Sequence, residues 1–230
     1  MNSTGLNSTG FLRVENLHKE FPKRGGPVEV LKGITFTLDR GEMLGVVGVS
    51  GAGKTTLLQI VGTLDRATSG SVFYDGRDVT SMPEGMLAEF RNRNVGFVFQ
   101  FHHLLSEFDA RENVMLPCLI AGMARDMAMK RAEDLLSEVG LSERFTHRVG
   151  ELSGGELQRV AICRALVMGP EILLADEPTG NLDKGTARGV AQLLGDLNRK
   201  KGLSLVIVTH NEELAGRMHR VLKIDDGIVR

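Results

Sequence analysis

The chain predicts an α/β fold with a mainly parallel core sheet, and three stretches carry that expectation. Met43 to Val47 is a short apolar run that passes through a glycine-rich loop into the helical stretch Thr56 to Val61. Ile172 to Ala175 is a second apolar run, and it ends in two acids, Asp176 and Glu177. Beyond it, strand and helix patterns alternate towards the C-terminus. Runs apolar at every position suit strands buried on both faces of a parallel sheet.

Taken in order, the chain starts with a polar repeat. Asn2-Ser3-Thr4-Gly5 recurs as Asn7-Ser8-Thr9-Gly10, and residues 1–10 are expected to be a disordered lead. A single ordered domain is expected over residues 11–230. Val28 to Leu38, preceded by Gly25-Gly26-Pro27, reads as a second early strand pair. Gly70 to Asp75 reads as a strand that ends at the turn Asp75-Gly76. From about Pro83 to Val149 the chain is helix-rich and carries many methionines; Ala132, Leu135, Leu136 and Val139 recur at helical spacing. Later, Ala187, Val190, Leu194 and Leu197 form one helix face, with Arg199-Lys200-Lys201 near its end and Gly202 as its stop.

Composition narrows the field. The chain has 230 residues, 42% of them hydrophobic, enough for one sizeable core. A formal net charge of -1 gives no support for a nucleic-acid partner. No apolar run is long enough to span a bilayer, and no signal peptide is visible at the start. Cys118 and Cys163 lack metal-ligand spacing, so a reducing cytosolic setting is expected.

Chemistry enters at Gly48 to Thr55, which reads G-V-S-G-A-G-K-T and fits the phosphate-binding pattern G-x-x-x-x-G-K-[ST]. Glycines let the backbone fold tightly, so that several N–H groups point at phosphate oxygens, and the helix that follows adds the partial positive charge of its N-terminus. The candidate phosphate ligands are Gly48, Ser50, Gly51, Gly53, Lys54, Thr55 and Thr56. Lys54 suits the β- and γ-phosphates, and the Thr55 hydroxyl suits Mg²⁺. A second such terminus follows a hundred residues on. Leu152 to Arg159 reads L-S-G-G-E-L-Q-R and opens an apolar helical stretch. One triphosphate rarely needs two such termini in one chain. Two chains arranged head to tail would place each ATP between the loop of one and the S-G-G of the other.

With these motifs in this order, nearly the whole chain from Phe11 onward resembles the ATPase domain of ABC transporters. The L-S-G-G-E-L-Q-R stretch is similar to that family's signature, whose usual form has Gln where this chain has Glu156. The resemblance implies a phosphate-loop NTPase core, an N-terminal antiparallel β subdomain and a helical lobe inserted at about 83–165. It implies ATP as substrate and Mg²⁺ as cofactor. Asp176 would hold Mg²⁺ together with Thr55 and Gln100, and Glu177 would act as general base. His210 resembles the switch histidine that contacts the γ-phosphate, and Gln100 resembles the Q-loop glutamine. Phe21 stands where an aromatic stacks on adenine. Ser153, Gly154 and Gly155 would complete the site of the opposite chain, and Asp183 would cross the dimer interface or cap the next helix.

The stretch Gln100 to Pro117, beginning Q-F-H-H-L-L, resembles the segment that receives an integral membrane permease. It is most similar to the lipoprotein-releasing group, near the macrolide-exporter and cell-division groups, which implies a peripheral place on the cytoplasmic face of the inner membrane. A metal pair at His102-His103 lacks further ligands at sensible spacing. Met123, Met127 and Met129 read as helix packing or as a soft partner surface.

Overall fold

A computed structural model describes residues 10–230; the polar lead expected at 1–10 lies, but for Gly10, outside the described residues. Two sheets and a helical lobe make up the molecule. The first sheet is antiparallel. Its strands are β1 (Leu12–Phe21), β2 (Val28–Leu38), β4 (Ser69–Tyr74) and β5 (Arg77–Asp78), in the order β2-β1-β4-β5. The second contains β3 (Met43–Val47), β6 (Val95–Val98), β7 (Ile172–Asp176), β8 (Ser204–Val208), β9 (Arg220–Asp225) and β10 (Ile228–Val229), in the order β10-β9-β3-β8-β7-β6. All its neighbours are parallel except the β9–β10 hairpin.

The segment Val28 to Leu38 is one continuous strand and not a strand pair. It lies antiparallel to β1 along its whole length, from Leu12 opposite Leu38 to Phe21 opposite Val28. No turn interrupts it; irregularities in the β1–β2 register take up the local mismatch. The strand at 69–74 does end at Asp75-Gly76, where both residues have left-handed backbone and the chain turns back into β5.

Helices cover the parallel sheet because its strands are apolar on both faces; every residue of β8 is buried. On one side α1 (Lys54–Val61) buries Leu57, Leu58, Ile60 and Val61 in a core shared with the antiparallel sheet. On the other, α6 (Lys184–Lys201) buries Val190, Leu194 and Leu197 against Met43, Leu173, Leu205 and Ile207. Each such side chain, fully buried, contributes on the order of 1.5–3 kcal/mol.

Within residues 83–165, α2 (Glu84–Asn94) and β6 pack with the sheet core through Leu87 and Val95. A separate third core joins α3 (Ala110–Ile120), α4 (Arg125–Glu138) and α5 (Gly154–Leu166), around Val114, Met115, Leu136 and Val160. Ile162 and Leu166 of α5 face the sheet core, so this helix belongs to both bodies. A short helix, α7 (Glu212–Ala215), follows β8. Among the described residues no helix is long and apolar enough to cross a membrane.

Candidate functional site

Parallel strands carry their loops at their C-terminal ends, and there the predicted residues converge. β3 delivers the glycine loop, β7 delivers Asp176 and Glu177, and β8 delivers His210. Pairing of β3 with β8, and of β8 with β7, fixes the three loops side by side. Between them lies a cavity of about 430 Å³. Gly48, Ser50, Gly51, Gly53, Lys54, Thr55, Thr56, Gln100, Asp176, Glu177 and His210 line it, together with Val30 and Val208.

Two glycines are required by geometry. Gly53 has φ +97°, and a Cβ there would stand 2.9 Å from the Val30 carbonyl oxygen. A Cβ on Gly48 would run into the carbonyl oxygen of Ile224 in β9. Both positions let the loop pass close to neighbouring backbone before α1 begins.

The polar groups form two pairs. Thr55 Oγ1 donates to Asp176 Oδ2 at 2.8 Å. Burial pushes the Asp176 carboxyl up from its ordinary pKa, the Thr55 bond pulls it down, the Glu177 charge pushes it further and Lys54 lowers it. A half-buried carboxylate beside a hydroxyl is a hard oxygen set, and these residues fit Mg²⁺, which keeps most of its shell as water and phosphate oxygen. In the second pair, His210 Nδ1 lies 2.7 Å from Glu177 Oε1, and Thr209 Oγ1 donates to Glu177 Oε2 at 3.3 Å. Glu177 has φ +46°, a left-handed backbone that a non-glycine residue adopts only when its surroundings hold it there. Strand alternation alone would turn the two acids apart; with this twist they keep separate partners and still share one cavity. Lys54 Nζ donates to the Gly48 and Val49 carbonyls at 2.9 Å each, so its ammonium sits over the loop.

Other predicted residues lie outside this cavity. Phe21, at the end of β1, is 40% exposed, with the Lys19 ammonium 4.8 Å from its ring centre. It is thus a surface aromatic and not a core residue. Ser153, Gly154 and Gly155 open α5, with Ser153 and Gly154 exposed. Asp183 caps α6, accepting from the Gly185 and Thr186 N–H groups at 2.9 and 3.1 Å.

Several contacts were not foreseen from the sequence. Asn181 and Gln100 bond reciprocally: Gln100 Nε2 donates to Asn181 Oδ1, and Asn181 Nδ2 donates to the Gln100 carbonyl, both at 3.2 Å. Arg164 of α5 donates to the carbonyls of His103 and His102 at 2.6 and 2.8 Å. Arg144 Nε donates to Glu156 Oε1 at 2.8 Å. These partners are 12 to 81 residues apart, and no spacing rule reaches them. A second cavity, about 410 Å³, lies between α2, β6, α3 and α5, with Phe97, Phe99, Ile120 and Met168 on its apolar wall and Arg91 and Arg164 at its edge.

A profile of the family described as "ABC transporter" matches residues 31–180. A lipoprotein-releasing system ATP-binding protein, LolD, from Syntrophus aciditrophicus is 57% identical over 94% of this chain and 97% of its own length. Its counterpart from Geobacter metallireducens is 56% identical over 96% of this chain and 98% of its own. A solved ATP-binding cassette, dimeric and bound to ADP and Pi after hydrolysis, superposes with a TM-score of 0.88 at 37% identity, covering 95% of this chain and 96% of that one.

Proposed function

The chain belongs to the ABC transporter family of ATP-binding proteins, and from that premise we propose that it is the ATP-hydrolysing subunit of a lipoprotein-releasing transporter. It works as a head-to-tail dimer on the cytoplasmic face of the inner membrane and drives release of lipoproteins toward the outer membrane. The observation that carries this reading is the meeting of the phosphate loop, the Thr55–Asp176 pair and the Glu177–His210 pair in one cavity. The relatives supply the transported class: both named counterparts carry lipoprotein release in their names.

In this reading the loop N–H groups and Lys54 bind the β- and γ-phosphates of ATP, and Phe21 stacks on the adenine. Thr55 and Asp176, with Gln100 also lining the cavity, would hold Mg²⁺, which would neutralise charge on the phosphate oxygens when bound. Glu177 accepts the proton of the attacking water, and His210 and Thr209 keep its carboxylate aimed. A second copy of the chain brings Ser153, Gly154, Gly155 and Asp183 to the open side of the nucleotide. The apolar cavity beside Gln100 to Pro117 takes a short segment of an integral membrane permease, with Arg164 holding the His102 and His103 carbonyls beside it.

Affinity capture of the tagged chain from detergent-solubilised membranes, with mass spectrometry of its companions, tests the assignment. Recovery of a permease with few spans and a large periplasmic domain is the expected result. A division-site protein in its place would move the chain to the cell-division group, and no membrane protein at all would overturn the transport reading.

A further inference from the structure

The N-terminus of α5 carries a charge problem and its answer. Glu156 sits in the first turn, and both oxygens of its carboxylate are engaged. Oε2 accepts the Ser153 backbone N–H and the Ser153 hydroxyl, each at 2.8 Å, and the Glu156 N–H points back at Ser153 Oγ at 3.4 Å. Oε1 accepts Arg144 Nε at 2.8 Å. Arg144 comes from a short helical turn, Ser142–Arg144, twelve residues upstream. The Ser153 backbone N–H, the Arg144 bond and the Ser153 hydroxyl hold the Glu156 carboxyl down at about 2, so it is an anion at any working pH.

That anion lies beside the Ser153 hydroxyl, which in the dimer has to face the triphosphate of the opposite chain. A carboxylate there repels the phosphate, and it also takes the single hydroxyl proton that Ser153 could donate. We propose that Arg144 is a positioning residue of the shared ATP site: its guanidinium neutralises Glu156 and fixes it, so that Ser153 can hand its hydroxyl hydrogen bond over to the γ-phosphate of the opposite chain's nucleotide. The inference rests on the reading that the α5 N-terminus completes the site of a second chain. It explains how a glutamate is tolerated at this place. A glutamine would carry no charge to neutralise, so the need for Arg144 is tied to Glu156.

The test is a double-mutant cycle on the full-length chain, with steady-state ATP hydrolysis and nucleotide affinity measured separately. Arg144→Ala is expected to lower kcat about tenfold or more, while the Kd for a fluorescent ATP analogue on the single chain stays within about twofold, because Arg144 does not line the nucleotide cavity. In the Glu156→Gln background the same change is expected to cost less than about threefold. Arg144→Lys is expected to keep most of the rate, since it keeps the charge. An equal loss in both backgrounds, or no loss at all, overturns the proposal. If Arg144→Ala does not fold, Arg144→Gln run through the same cycle decides it. Gly154→Asp separates this from failure of the underlying reading. A Cβ there meets only Leu182 Cδ2, at 3.5 Å, but the added carboxylate stands where phosphate has to arrive. Full activity in Gly154→Asp would sink the shared-site reading itself. A dead Gly154→Asp beside a fully active Arg144→Ala would sink only the role of Arg144.

Discussion

Two helix N-termini in this molecule open on glycine-rich stretches, and they are built in opposite ways. At α1 the loop is ringed by residues of its own chain: β3, β7 and β8 bring Lys54, Asp176, Glu177 and His210 around one cavity, and Ala52 and Gly53 are buried while Val49, Ser50, Gly51 and Thr55 stay exposed. At α5 the terminus stands in solvent, with Ser153 and Gly154 exposed and Ser153 held by Glu156 of its own turn. Their acids differ in the same sense. Burial raises the Asp176 pKa, whereas donors on every side lower that of Glu156. The first end gathers charged and polar groups of one chain around a cavity, where the proposed function puts ATP. The second is already satisfied within its own turn, and the proposed function has it meet a nucleotide held by a second chain.

The largest effect expected from breaking this contrast is at the α1 end. Glu177→Gln should retain ATP binding and lower turnover by about 10²- to 10⁴-fold, the usual worth of a general base, with a dimer accumulating in gel filtration when ATP is present. Normal turnover in that variant removes Glu177 as the base. Lys54→Ala comes next: losing one charge-assisted bond to phosphate should weaken ATP affinity about 10- to 100-fold in a direct binding titration. Ser153→Ala, at the open end, should leave that affinity within about twofold, lower kcat about tenfold, and cost about 1 kcal/mol of stability through the lost helix cap. A weakened single-chain affinity there would mean that the two ends are not separate.

The smallest effects concern stability, and they run in opposite directions. The folded pKa of Asp176 is raised, so its charge works against the fold above the unfolded value; Asp176→Asn should raise the melting temperature at pH 7 without nucleotide, and the gain should vanish as pH falls below the unfolded carboxylate range. The folded pKa of Glu156 is depressed to about 2, so its contribution is fully present above the unfolded value and is lost as pH falls through about 2. Glu156→Gln should therefore lower the melting temperature at pH 7, and the difference should shrink in acid. Shifts of the same sign in both variants would erase the electrostatic side of the contrast.

How much of this was legible in the sequence follows from how local each feature is. The loop at Gly48 to Thr55 and the stretch at Leu152 to Arg159 are contiguous, and their flanking apolar runs told strand from helix. The acid pair and His210 were found because each ends a run of buried residues. The single strand at 28–38 was misread because Lys32-Gly33 interrupts its alternation; Gly33, at φ +83°, is skipped in the register between Leu17–Ile34 and His18–Lys32, so it is a bulge within one strand and not a turn between two. The order of the six core strands could not be read, since it is set by contacts across the whole chain. Arg144, Arg164, Asn181 and Thr209 were missed for the same reason: each acts through a partner that only the fold brings near.

The most direct test of the central claim, that the α1 end binds ATP and the open end of a second chain completes the site, is the specific ATPase activity of the isolated chain as its concentration is raised. If two chains form each site, activity per chain climbs with concentration and levels off where light scattering shows twice the single-chain mass of 25.1 kDa. Activity per chain that stays constant down to concentrations where only single chains exist would contradict it.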